Sequence, residues 1–292
     1  MSVEVTRIDL PCPVRAAASD GTTVWCAVAG GVRAYTAAGS PLGEGGPGPE
    51  LRSLAAVPGT VTGPAGVPGM LAETVIMPRS FAGASLSGPL PEGTLAGTSR
   101  DRLHWLGPSG APDGDLPFDG RVVAGGGEIW AVGADLARRL TGPGRLGEPV
   151  QLPALDACAA EGERLWWTSR RDTILRGGPK EVELGRDRRG AMVVCAGSLW
   201  ISVTGGLLRV SAWSGEPGRL VAAPEGPVPF LVCANGVLTG GARDLFTLAP
   251  AAGAPLRVIE LGLDVPLALV IAAGRHVWAF PAGRPQALIV VT

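Results

Sequence analysis

Short runs of alternating aliphatic and polar residues recur along the chain, each closed by glycine or proline. Three share nearly one order: Gly127-Glu128-Ile129-Trp130-Ala131-Val132, Glu163-Arg164-Leu165-Trp166-Trp167-Thr168 and Gly197-Ser198-Leu199-Trp200-Ile201-Ser202. Each sets a Trp behind an aliphatic residue just past a turn, as do Val24-Trp25 and Val277-Trp278. Degenerate copies centre on Val61, Leu95 and Leu238, so eight centres stand at 25, 61, 95, 130, 166, 200, 238 and 278. Their spacing of 34 to 40 residues fits four short antiparallel strands with tight turns.

A second marker runs in phase with the first: aliphatic, polar, Leu, then Pro or Gly, as in Val150-Gln151-Leu152-Pro153, Val182-Glu183-Leu184-Gly185 and Ile259-Glu260-Leu261-Gly262. The alternation predicts a half-buried strand, and the Pro or Gly ends it. This is the fourth, outermost strand of each repeat. One copy, Ile8-Asp9-Leu10-Pro11, precedes every repeat centre, while the chain ends on a third strand, Ala287 to Val291, with no fourth behind it. Pairing the two ends closes a ring and removes two open sheet edges. The expectation is therefore an all-β chain, one domain over residues 1–292. It is a closed β-propeller of eight four-stranded blades whose last blade is completed by the N-terminal strand. The weak stretch from Gly39 to Gly97 leaves an alternative of seven blades with a long irregular insertion.

Composition agrees with many turns joining many short strands. The 45 glycines and 27 prolines are near a quarter of the 292 residues, yet 46% of residues are hydrophobic, too many for a disordered chain. Net charge is −1 with 17% charged residues, which gives no footprint for nucleic acid or an anionic membrane. Lys180 is the sole lysine, and the Arg, Ala, Gly and Pro usage reads as bacterial GC-rich coding bias. The N-terminus lacks the basic start and apolar core of a signal peptide, and no apolar run approaches the ~18 residues of a membrane helix. Five cysteines with no CxxC pair read as reduced thiols in a cytoplasmic protein.

The stretch Gly197-Ser198-Leu199-Trp200-Ile201-Ser202-Val203-Thr204-Gly205-Gly206-Leu207-Leu208-Arg209-Val210 resembles the repeats of bacterial YVTN and streptogramin-lyase-like propellers. A third-strand arginine recurs eight to ten residues behind the aromatic as Arg33, Arg138, Arg176 and Arg209. The resemblance implies fold; activity differs among propellers that share it.

Candidate chemistry is sparse. A streptogramin-lyase-like site implies a His with acidic neighbours at the channel mouth; His104 and His276 stand in no such constellation and read as structural or solvated. Cys158, Cys195 and Cys233 recur near one repeat position, where other blades carry Ala or Ile, so they read as packed core residues rather than thiolate ligands, which come in close pairs. One Asn and two Gln leave few supporting ligands for a hard cation. No metal, cofactor or catalytic residue is expected. The in-phase tryptophans read as wedges between sheets. Trp105, Trp167 and Trp213 are off phase, and Trp213 opens a polar turn where it can be exposed.

The charged segment from Glu161 to Arg189 supplies the binding expectation: Arg170, Arg171, Arg186, Arg188 and Arg189 form part of a rim that grips a partner's carboxylates. Positive mean hydropathy, +0.27, favours a surface with partner contacts. The leading expectation is a non-enzymatic, protein-binding scaffold, in the manner of propeller partners of MoxR-type ATPases and von Willebrand A-domain proteins. The alternative is a small-molecule lyase or hydrolase working at the channel mouth.

Overall fold

A computed structural model describes residues 4–45, 48–57, 94–107, 112–142, 144–185, 189–223, 227–250 and 256–292. Twenty-eight strands form seven four-stranded antiparallel sheets. Numbered in chain order, blade 1 runs from Ala16 to Glu44, blade 2 from Ser53 to Pro117, blade 3 from Arg121 to Gln151 and blade 4 from Leu155 to Glu183. Blade 5 runs from Arg189 to Val221, blade 6 from Phe230 to Ile259, and blade 7 from Leu267 to Val291. The fourth strand of blade 7 is the N-terminal Val5–Asp9, paired Val5↔Val290 through Asp9↔Gln286. The ring closes in the register that the two incomplete ends imply.

The blade number is seven, the alternative, and not eight. The first strand of blade 2, Ser53–Val57, pairs directly with Thr94–Thr98 as its second strand, with Ser53↔Thr98 and Val57↔Thr94 in register. These strands would have belonged to different blades in an eight-fold ring. The copy centred on Val61 lies outside the described residues. A repeat period records spacing, whereas a blade is defined by its backbone ladder, and closing a long connection costs free energy that rises only with the logarithm of its length. All other centres, including the degenerate Leu95 and Leu238, occupy second strands.

The core is divided among the seven interfaces between neighbouring blades. Trp25 packs on Leu54 and Leu95 of blade 2, Trp130 on Leu165 and Trp167 of blade 4, and Trp166 on Leu199 and Val203 of blade 5. Trp200 packs on Leu231 and Phe246 of blade 6, and Trp278 on Val24 and Tyr35 of blade 1. The in-phase tryptophans are wedges, each pointing at the following blade. Trp167, one residue on, points to the opposite sheet face and fills the interface with the preceding blade, as the strand period of two demands. Off-phase Trp105 is buried between blades 2 and 3. Side-chain hydroxyls tie successive blades: Val122 N–H donates to Ser53 Oγ at 3.0 Å and Val228 N–H to Ser202 Oγ at 2.7 Å.

The cysteine expectation is corrected at one pair. Cys195 and Cys233, on the first strands of blades 5 and 6, form a disulfide with Cα atoms 5.3 Å apart. Repeat position placed both thiols on the shared interface of adjacent blades, 38 residues apart in sequence, which no local pattern distinguishes from two packed thiols. Cys12, Cys26 and Cys158 are free; burial pushes the Cys26 thiol far above its ordinary pKa.

Candidate functional site

The two ends of the ring differ. One carries the inter-blade loops together with the turns joining second to third strands, shown by Arg170 N–H donating to Ala154 O and Leu184 N–H to Thr173 O, both at 2.8 Å. The other carries the turns joining first to second and third to fourth strands, as in Ala212 N–H to Gly197 O at 3.3 Å. Arg170 and Arg171 lie at the first end and both are exposed. Arg170 Nε stands 3.9 Å from Asp156 Oδ1, and the Arg171 backbone N–H donates to Ser169 Oγ at 3.1 Å. Arg186 and Arg188 lie outside the described residues. Arg189 does not belong to the inter-blade loop; its backbone opens the first strand of blade 5, opposite Val203, because the ladder resumes there across a register shift before Met192.

The central channel, about 570 Å3, is lined by residues of all seven first strands, among them Ala18, Ala56, Val123, Ala159, Val193 and Ile271. Only one edge of each first strand is paired, so backbone polar groups share the lining with these small apolar side chains. The ionisable lining groups among the described residues are Glu161 and the free thiol of Cys158. Arg121 Nη2 stands 3.5 Å from Cys158 Sγ. No group of three or more His, Cys, Asp or Glu among the described residues is close enough to hold a metal ion.

Neither histidine is among the residues that line the channel, although His276 pairs with Ala273 on the first strand of blade 7. His104, 5% exposed, sits in the third strand of blade 2, with Nε2 2.9 Å from Ser99 Oγ and Nδ1 4.0 Å from Asp115 Oδ2. Desolvation moves its pKa down, partly offset by the Asp115 carboxylate. His276 begins the second strand of blade 7, half-buried beside a turn.

The prominent surface feature is a ridge at the second end, the turn after the third strand of blade 5. Ser211 N–H donates to Glu216 O and Gly215 N–H to Ser211 O, both at 2.9 Å, and Ser214 N–H to Ser211 Oγ at 3.2 Å. Gly215 suits the turn: its φ is +69°, which glycine adopts without strain, and a Cβ there would come within 2.9 Å of Lys180 Cγ. Trp213, at the tip of this braced turn, is 91% exposed.

A groove opens on each side of the ridge. The first, about 750 Å3, is lined by Trp130, Trp167, Glu161, Glu163, Arg164 and Trp213. Its charges are mutually engaged: Glu163 with Arg139, and Arg164 with Glu161 at 3.7 Å and with Ala212 O at 2.8 Å. Arg164 also lies over the Trp166 ring at 5.7 Å. The second groove, about 510 Å3 between blades 5 and 6, is lined by Trp200, Arg209, Arg219, Ser211, Leu248 and Leu256 among others. The sequence picked out Trp213 as a residue able to be exposed; the grooves themselves combine residues from four blades and have no local signature.

The geometry defines the class: a closed, seven-bladed β-propeller with a rigid aromatic ridge on one end. Solved structures agree over whole chains. Virginiamycin B lyase from Staphylococcus aureus matches at 13% identity and TM-score 0.67, covering 100% of both chains. A catalytically inactive variant of that enzyme with quinupristin matches at 12% and 0.68 over the same extent. The WD40 propeller domain of Doa1 matches at 14% and 0.64, covering 98% of this chain and 96% of that one. These likenesses are of fold, including the streptogramin-lyase-like propeller type that the repeats resemble. No protein-family model and no curated protein matches the sequence.

Proposed function

We propose that this chain is a protein-binding propeller whose partner docks across the Trp213 ridge. The observation that carries the reading is an indole 91% exposed on a turn that its own hydrogen bonds hold rigid, between two grooves. Exposed aromatic surface of this kind is costly to hydrate, and Trp and Arg are the residues that anchor protein interfaces. A pre-formed anchor loses little entropy on binding. The exposed Arg170 and Arg171, at the opposite end, are a separate candidate rim and extend the reading to two surfaces.

In its specific form the partner is a MoxR-type ATPase or a von Willebrand A-domain protein, and the pair works in the cytoplasm. The disulfide removes reduced thiols as support for that compartment. The channel's mostly apolar side chains, with neither histidine among them, favour binding over a lyase or hydrolase reaction at its mouth. The test is co-purification of a tagged chain with its genomically adjacent ATPase or A-domain protein. Trp213→Ser is expected to weaken the complex at least tenfold while thermal unfolding stays unchanged. Undiminished binding by the folded variant would remove Trp213 from the interface, and failure of any such partner to bind the wild-type chain would overturn the partner class.

A further inference from the structure

In four blades a third-strand arginine meets a carboxylate. Arg33 meets Glu44 at 2.7 Å, Arg102 meets Asp115 at 2.5 Å, Arg139 is paired with Glu163, and Arg176 meets Asp172 at 2.9 Å. Arg209, on the third strand of blade 5, does not, nor does Arg138 beside Arg139: Arg209 Nε donates to Ser198 Oγ at 2.9 Å, and neither pairs with a carboxylate among the described residues. Arg209 lies directly across the ladder from Trp200, and both line the second groove with Arg219. Arg219 is likewise exposed and without a carboxylate partner among the described residues.

Trp200 departs from a second pattern. Trp130 Nε1–H donates to Gly162 O at 3.0 Å, Trp166 Nε1–H to Glu161 Oε2 at 3.0 Å and Trp278 Nε1–H to Ala37 O at 2.8 Å. The Trp200 indole is 2% exposed, and its N–H finds no acceptor among the described residues. Two guanidinium groups therefore face one groove whose wall also carries Ser211, Ser214, Glu216, which meets Lys180 at 3.5 Å, and an apolar side of Leu248, Pro250 and Leu256. Two guanidinium groups against one carboxylate leave the groove with an excess of positive charge that a ligand carboxylate offsets.

We propose that the groove between blades 5 and 6 binds a carboxylate of a partner polypeptide, an Asp or Glu flanked by aliphatic residues. The proposal rests on the protein-binding reading above and specifies what enters one groove beside the Trp213 ridge. A carboxylate is favoured over a phosphate by the internal precedent: one third-strand arginine in each of blades 1 to 4 takes a carboxylate. Guanidinium groups match the two oxygens in a fork, and the charge strengthens each hydrogen bond. The aliphatic flank follows from the Leu248, Pro250 and Leu256 wall.

The test is selection of twelve-residue displayed peptides on the full-length chain, followed by affinity measurement with the synthetic winners. The expected winners carry Asp or Glu next to Leu, Ile or Phe. They are expected to bind R209Q/R219Q at least tenfold more weakly, bind R209K with intermediate affinity, and lose affinity with rising salt. Thermal unfolding of each variant serves as the folding control. Winners that depend on Trp213 but bind R209Q/R219Q normally would overturn the carboxylate site and leave the protein-binding reading standing. Preference for phosphoserine over Glu at the same position, lost in R209Q/R219Q, would overturn the carboxylate in favour of phosphate. Failure to select any peptide would count against both.

Discussion

Leu10→Ala tests ring closure at one side chain. Leu10 follows the N-terminal strand, is 6% exposed, and packs with Val24, Trp278, Phe280 and Ile289, where blades 7 and 1 meet. Its N–H donates to Pro285 O at 2.8 Å, and that bond survives the substitution. The variant therefore removes side-chain packing alone. Buried Leu→Ala replacements cost about 2–5 kcal/mol, through lost transfer free energy plus the cavity left behind. Leu10 is bounded by blade 7 on one side and blade 1 on the other, so the site collapses poorly and a cost of about 3 kcal/mol is expected. At roughly 2–4 °C per kcal/mol for a chain somewhat smaller than this one, the Tm should fall by about 6–12 °C, towards the lower end for a chain of this length. Differential scanning calorimetry and urea titration would measure it. Leu42→Ala, at a side chain 43% exposed on the outer strand of blade 1, is the control and should stay within about 0.5 kcal/mol. Deleting residues 1–11 removes the whole ladder to Gln286–Val291 and should exceed the point variant; a synthetic peptide of those residues should restore part of the loss by adding back as a strand. Leu10→Ala no more costly than Leu42→Ala would refute the claim that this strand holds the ring shut.

Alkylation of unreduced native protein should leave Cys195 and Cys233 unmodified, and each should take one label after reduction and unfolding. Replacing both by Ser should lower stability by about 2–4 kcal/mol, and free thiol at both positions in unreduced protein would exclude the bond. His104 gives a pH dependence of defined sign. Burial lowers its native pKa, so below the unfolded value of about 6.5 the unfolded chain binds the proton more readily and stability falls with falling pH. His104→Gln should flatten the part of the stability profile just below pH ~6.5; a profile unchanged there would show that the histidine is not desolvated.

Much of the fold was legible along the chain because strand alternation, turn glycines and the in-phase Trp are local chemistry. Ile8-Asp9-Leu10-Pro11 announced an outermost strand, and the end at Ala287–Val291 announced its partner. Trp25, Trp130, Trp166, Trp200 and Trp278 announced the wedges, since a large apolar residue at one phase of every repeat has to face one kind of neighbour. The blade number was not legible, because the copy at Val61 satisfied the spacing while Ser53–Val57 had already taken Thr94–Thr98 as its ladder partner. Only pairing in space decides between those strands.

The same division holds for the candidate site. The sequence determined that Arg209 belongs to a recurring third-strand series and that Trp213 opens a polar turn. That Arg33 and Arg176 of that series reach a carboxylate while Arg138 and Arg209 reach none among the described residues is settled by where side chains of neighbouring strands and blades project. The same is true of the Cys195–Cys233 bond, whose two halves are 38 residues apart in sequence and share an interface only once the blades are stacked. Periodicity fixes what each strand is; partnership between strands is a property of three-dimensional distance, and the disulfide, the grooves and the blade count all depend on it.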